Sequence, residues 1–230
     1  MTPPSTQALP PGQHELASFP RFGMWMFARY RPQQPAPGTL HLRGDVQREL
    51  TLPSILDGLP RREQISDFHC VTTWSRRSVH WGGVLFADFY RQVIQAQAGP
   101  HPDTRFVVMR GQDGYRSCLL LEDLLQPDVL LADQLDGQPL TAEHGAPLRL
   151  VAPAQYGYKS VKHLTRIELR VADPGFRPAG FAFMDHPRAR VALEERGRWV
   201  PAWLLRQLYR PLVAPTVKRF ARDWPTQPPS

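Results

Sequence analysis

Short apolar runs bounded by turn residues dominate this chain, and helical periodicity is confined to a few stretches. Thr39 to Asp45 reads as a strand with Gly44 at a turn, and Leu50 to Gly58 as a short helix. Asp67 to Thr72 is predicted to be a strand. Ala87 to Ala98 has the clearest helical pattern and is closed by Gly99-Pro100. Arg105 to Arg110 and Tyr115 to Leu120 form a predicted hairpin about the turn Gly111-Gln112-Asp113-Gly114. Glu122 to Leu125 is a helical turn. Val129 to Gln134, Leu148 to Ala152 and Leu164 to Val171 complete the strands. The expectation is a strand-rich, mixed-sheet α+β domain.

The ends differ in character. Residues 1–20 are Pro-rich and polar and are expected to be disordered; 21–173 carry the domain and 174–230 a C-terminal extension. In that extension Pro201 to Arg210 reads as a short amphipathic helix, with Trp203, Leu204 and Leu208 on one side and Arg206 and Arg210 toward the other. Pro211 and Pro215 argue against a longer helix. The extension is expected to pack on the domain or a second subunit, or to contact anionic lipid or a membrane-bound redox partner.

Composition narrows the classes. The 230 residues are 42% hydrophobic, enough for one substantial domain, and the 25 prolines and 16 glycines favour strands and turns. The net charge of +7 suits an anionic cofactor or an oxyanion substrate. No zinc finger, P-loop or aromatic-basic RNA motif supports nucleic-acid binding. There is no secretory h-region and no run long enough to span a membrane, so the expected location is cytoplasmic, where both cysteines stay reduced.

Those two cysteines exclude a disulfide framework or a Cys-rich zinc site. Cys118 sits among strand-like neighbours and reads as core. Cys70, in Asp67-Phe68-His69-Cys70-Val71-Thr72-Thr73-Trp74-Ser75, has polar flanks that suit a bound ligand. It is a candidate nucleophile or a single soft ligand to a metal held mainly by something else.

Arg62-Glu63-Gln64 through Cys70 to Ser75, followed by Trp81-Gly82-Gly83-Val84, resembles the sulfite-oxidase-like molybdopterin oxidoreductases. A second block, His144 to Pro153 and then Tyr156 to Lys162, resembles the same family in order and separation. The resemblance runs from about Phe22 to about Pro174. It implies the sulfite oxidase catalytic-domain fold, a molybdenum-molybdopterin cofactor and Cys70 as the protein's single metal ligand. It further implies that His144, Arg149, Ser160 and Lys162 contact the pterin or its phosphate, with Lys159 in the same basic cluster. Phe27, Arg29 and Tyr30 resemble a pterin-contact segment.

For substrate, Arg76 or Arg77 is placed to supply a cation for an oxyanion. Asp133 falls where true sulfite oxidases carry a tyrosine, which points away from sulfite, and Tyr115 is an alternative polar group. The segment Gly180 to Arg188 departs from the run expected in relatives of this length. No Cys-x-x-Cys-His haem site or ferredoxin pattern is present. The expected activity is therefore oxygen-atom transfer with a small oxyanion or S/N-oxide, with electrons exchanged through a separate partner. The alternatives are a cofactor-binding protein without turnover and a cysteine hydrolase pairing Cys70 with His144. His69 is disfavoured as its base because adjacent strand residues face opposite ways.

Overall fold

The computed structural model describes residues 8–30, 39–53, 55–175 and 182–223. In chain order its strands are β1 (His14–Glu15), β2 (Leu40–Gly44), β3 (Leu50–Leu52), β4 (Arg61–His69), β5 (Trp74–Leu85), β6 (Phe106–Gly111), β7 (Arg116–Leu120), β8 (Leu130–Leu135), β9 (Gln138–Pro139), β10 (Arg149–Val151) and β11 (Leu164–Arg170). They form two sheets. One runs β1-β5-β8-β10, with β4 paired to β5 and β9 to β8; the other runs β3-β2-β11-β6-β7. Pairing is antiparallel except for β1 with β5 and β2 with β11. The α+β mixed-sheet expectation holds.

The main core joins the two sheets. Leu40, Leu42, Ile167 and Leu169 of the second sheet pack with Val84, Leu131 and Leu150 of the first, and with Phe86, Phe89 and Ile94 of the intervening helix. Leu130, Ala132 and Val151 turn the other way and join Trp81 in a second cluster. Both faces of β8 and β10 are therefore buried, which explains why their apolar runs are continuous rather than alternating.

Several expectations need correcting. Leu50–Leu52 is a strand rather than the start of a helix, with Leu40 opposite Leu52 and Leu42 opposite Leu50. Its Leu-Thr-Leu alternation matches one face of the sheet, and Pro53 ends it. The predicted helix begins as α1 (Phe86–Phe89) and runs on as a π-type segment, Tyr90–Ala98, closed by Gly99 at φ +60°. β5, the longest strand, was not anticipated. Arg76-Arg77 and Gly82-Gly83 interrupt its pattern, yet it lies at the centre of the first sheet.

The terminal expectations change most. Of residues 1–20, those from 8 onward are described, and His14–Glu15 adds a parallel strand beside Trp74 and Ser75. After α2 (Leu121–Leu124), the C-terminal helix α3 (Ala202–Tyr209) follows Pro201 as expected. Its buried side is Leu205 and Tyr209, however, while Trp203 and Leu208 are more than half exposed. The chain stays helical through Arg210–Leu212 into α4 (Val213–Arg222). Pro211 and Pro215 fall at the starts of those segments, where a missing N–H costs little. Among the described residues no helix is long and apolar enough to cross a membrane.

Candidate cofactor site around Cys70

β4 ends at His69, and Cys70 to Thr73 turns the chain into β5. The Cys70 N–H donates to Trp74 O at 2.8 Å, and the Thr73 N–H to Cys70 O at 3.2 Å. Thr73 is held at φ +79°, a left-handed conformation that costs a non-glycine residue energy. Its buried hydroxyl has no hydrogen-bond partner. The turn is braced from several elements: Gly157 N donates to His69 O, His14 N to Thr73 O and Leu16 N to Ser75 O.

Cys70 Sγ lies 3.1 Å from Thr72 Oγ1 and packs among Phe68, Trp74 and Val213. Burial pushes its thiol up; the Thr72 hydrogen bonds and the charges of Arg196 and Lys162 oppose this. Ligation by the thiolate requires loss of that proton, which makes metal affinity pH-dependent. Among the described residues no three His, Cys, Asp or Glu side chains gather as a metal cluster. A metal at Cys70 would therefore need its remaining donors from a cofactor.

A set of buried cations accompanies it. Lys162 is partly buried, reaches the Glu143 carbonyl at 3.3 Å, and is pushed down to about 7 by desolvation and then by Arg149 and Arg21. The Arg149 guanidinium donates to His144 O at 2.9 Å and lies over Trp81 at 4.8 Å. Burial lowers it to about 9, and His163 to about 4. Neither Lys162 nor Arg149 has a carboxylate at ion-pair distance among the described residues, although the Asp113 and Glu143 charges reach Lys162. Buried cations without counter-ions are costly. A dianionic phosphate is the partner such a cluster fits.

The other expected residues separate. Ser160 Oγ accepts from Ala152 N at 3.2 Å, which leaves its own proton free to donate. Phe27 packs edge-on to Tyr115 at 5.6 Å, and Tyr30 tilts against His163 at 6.1 Å. Arg21 donates to Ala28 O and Tyr30 O at 2.8 Å, fixing this segment beside the cations. Arg29 instead points outward, 81% exposed, and pairs with Asp223 of the tail. Its expected pterin contact is not supported.

Lys159 is likewise committed elsewhere. Its Nζ donates to Cys118 O at 2.8 Å and pairs with Asp185 at 3.2 Å in a fully buried setting, so it ties the C-terminal segment down rather than facing an open ligand site. His144 uses both ring nitrogens, on Thr141 Oγ1 and Phe19 O, and walls the site through its ring against Phe19. It offers no free base to Cys70, and His69 turns its Nδ1 to Ser75 Oγ at 2.8 Å rather than to Cys70. This removes the support for a cysteine hydrolase.

Asp133 is the clearest correction. It forms a two-pronged ion pair with Arg61, at 2.7 and 2.8 Å. Arg61 opens β4 while Cys70 follows its far end, roughly 25–30 Å away at about 3.3 Å per residue. Asp133 cannot face a group bound at Cys70. Arg76 stands on β5 opposite Phe68, half-buried, and Arg77 pairs with Asp67 at 3.7 Å. Tyr115 is partly buried and within the electrostatic reach of Cys70, but its hydroxyl donates to Tyr158 O at 2.5 Å and desolvation keeps it protonated. It serves as a wall and not as a free acid or base.

Sequence reading missed Phe19, Arg21, Gln13, His163 and Arg196. Phe19 packs against Phe68, Trp74, Trp81 and His144 from a segment taken for a disordered leader. The one available signal was aromatic and basic content, Phe19-Pro20-Arg21-Phe22, in an otherwise polar stretch. Of two surface cavities, one of about 640 Å³ lies between Asp45, Arg110 and Arg170, and the other, of about 240 Å³ between Thr73, Trp203 and Arg210, borders the Cys70 turn.

Residues 31–175 match the oxidoreductase molybdopterin binding domain. The chain belongs to that family. It is 35% identical to YuiH of Bacillus subtilis, an uncharacterized oxidoreductase, over 170 residues covering 73% of this chain and 82% of that protein. It is 28% identical to the protein-methionine-sulfoxide reductase catalytic subunit MsrP of Xanthomonas axonopodis pv. citri, spanning 70% of this chain but only 57% of that one. The sulfane dehydrogenase SoxCD of Paracoccus pantotrophus shares the fold, with a TM-score of 0.50 and 22% identity over 59% of this chain and 38% of its own. The matched domain contains Cys70 and the Lys162–Arg149 cations. It excludes the N-terminal arm, Phe27 to Tyr30, and the tail.

Proposed function

We propose that this member of the molybdopterin-binding family is a molybdenum-pterin oxidoreductase that moves an oxygen atom to or from a small sulfur- or nitrogen-containing substrate. The observation that carries the reading is the juxtaposition of one buried thiol, Cys70, with two desolvated cations that lack counter-ions among the described residues, the partly buried Lys162 and the buried Arg149. A pterin-dithiolene molybdenum group supplies two-electron oxygen-atom transfer when bound. Cys70 would hold the metal through its thiolate. Lys162, Arg149 and the Ser160 hydroxyl would hold the phosphate, and Phe27, Tyr30 and Tyr115 would wall the pterin side. Neither His69 nor Tyr115 is placed to act as acid or base at Cys70, which leaves solvent, substrate or Lys162, lowered to about 7, to supply protons. The likeness to a methionine-sulfoxide reductase subunit favours a neutral S-oxide, with electrons delivered by a separate protein.

Elemental analysis and pterin detection on protein from a molybdenum-competent host test this directly. Wild type should carry about one molybdenum and reduce sulfoxides with an artificial electron donor. Cys70→Ser should lose turnover and most of the metal, because a hydroxyl poorly replaces a soft thiolate. Cofactor without turnover would make the chain a binding protein. Full activity in Cys70→Ser would remove Cys70 from the metal.

A further inference from the structure

The turn carrying Cys70 is gripped by side chains from both ends of the chain, outside the residues 31–175 that match the family. Gln13 Nε2 donates to the Cys70 carbonyl at 3.1 Å, and Gln13 Oε1 accepts from Ser75 Oγ at 3.1 Å. From the other end, the Arg196 guanidinium donates to the Val71 carbonyl at 2.7 Å and to Pro11 O at 2.9 Å. It is wholly buried, stacks 5.0 Å over Tyr156, and has Glu194 at 3.3 Å.

We propose that Arg196 and Gln13 are positioning residues that fix the two peptide carbonyls beside the Cys70 side chain, and so the direction from which its sulfur meets the metal. A buried guanidinium is expensive, and an apolar side chain of similar size would fill the space at lower cost. Here its donors are spent on the backbone of the turn and of the N-terminal arm. The same turn holds Thr73 at φ +79°, a conformation that persists only where surrounding contacts impose it. The clamp also joins the two termini through one guanidinium, so the arm and the tail support the site together.

The inference rests on Cys70 as the metal's ligand, but its first test needs no metal. In a Cys118→Ser background Cys70 is the only thiol, and in cofactor-free protein it is 8% exposed. Its reaction with an aromatic disulfide reagent, compared per thiolate from a pH series because losing the Arg196 charge also raises the thiol's pKa, should quicken about ten-fold or more in Arg196→Met, since a charge-assisted hydrogen bond holding the turn is lost. Gln13→Leu should act in the same direction by less, and Arg196→Lys, which spans only one carbonyl, should fall between.

In molybdenum-loaded protein the same variants should keep the metal but shift the thiolate-to-metal absorption and the electron paramagnetic resonance g-values. If Arg196→Met does not fold, Gln13→Leu on the half-buried arm decides. Thiol rates within about two-fold of wild type, with unaltered spectra and only a lower melting temperature, would show a merely structural role and overturn the proposal. A wild type that binds no molybdenum would sink the functional reading, while the thiol rates would still judge the clamp.

Discussion

Lys162 shows how a residue legible as basic becomes informative only through burial. Its pKa falls from 10.5 to about 7 because the charged form is desolvated and faces Arg149 and Arg21. Between those values the unfolded chain holds a proton that the folded chain has released, so this group makes stability rise with pH from about 7 toward 10.5. The penalty is present in full below about pH 7. In cofactor-free protein, Lys162→Met should therefore be more stable than wild type at pH 6, by up to several kcal/mol, with the gap narrowing by pH 9. Urea titrations at the two pH values measure it. Inorganic pyrophosphate should reverse the order at pH 6 by satisfying the cation, and should stabilise wild type less at pH 9. A wild type indifferent to pyrophosphate at both would show that this cluster is not an anion site. Arg29, Lys159 and Lys162 all read alike in the sequence; one is exposed, one is paired with Asp185, and one is partly buried with no carboxylate at ion-pair distance among the described residues.

At the scale of elements, β5 organises the first sheet because its glycines let β8 approach. A Cβ on Gly83 would lie 2.2 Å from Leu131 O and 2.7 Å from Ala132 Cα, beside the irregularity between Gly82 and Gly83. Gly83→Ala should force the strands apart and cost about 1–3 kcal/mol, seen as a lowered midpoint in thermal unfolding; an unchanged midpoint would mean that β8 yields freely. Most strands were legible because their apolar runs end at Gly, Pro or Asp. β5 was not, since its arginines and glycines are explained by partners distant in sequence. The strand Leu50–Leu52 was misread as helical because three residues carry too little periodicity to tell one period from another.

Across the whole molecule, the tail closes over the domain through buried polar pairs as well as apolar packing. Lys159 meets Asp185, Tyr158 Oη accepts from His186 N at 2.9 Å, and Val213 and Val217 join the cluster around Cys70 and Trp74. Lys159→Met should strand Asp185 in a buried site and cost about 3–5 kcal/mol. Lys159→Met with Asp185→Leu should recover most of it, as read by urea denaturation. If the single and double variants lose equally, the pair does not dock the tail.

The sequence by itself determined the strand-rich fold class, the family, and Cys70 with Lys162 and Arg149 as the chemistry worth examining. The fold class follows from local apolar patterning, and the family with its cofactor residues from the resemblance carried by two sequence blocks in order; both survive in one dimension. Tertiary structure alone decided which cations are left unpaired, that Asp133 belongs to Arg61, and that an N-terminal arm and a C-terminal segment brace the Cys70 turn. Burial and pairing depend on groups brought together from 57 to 185 positions apart, as Gln13 Nε2 and Arg196 are at the carbonyls of Cys70 and Pro11. A local reading of spacing cannot contain them.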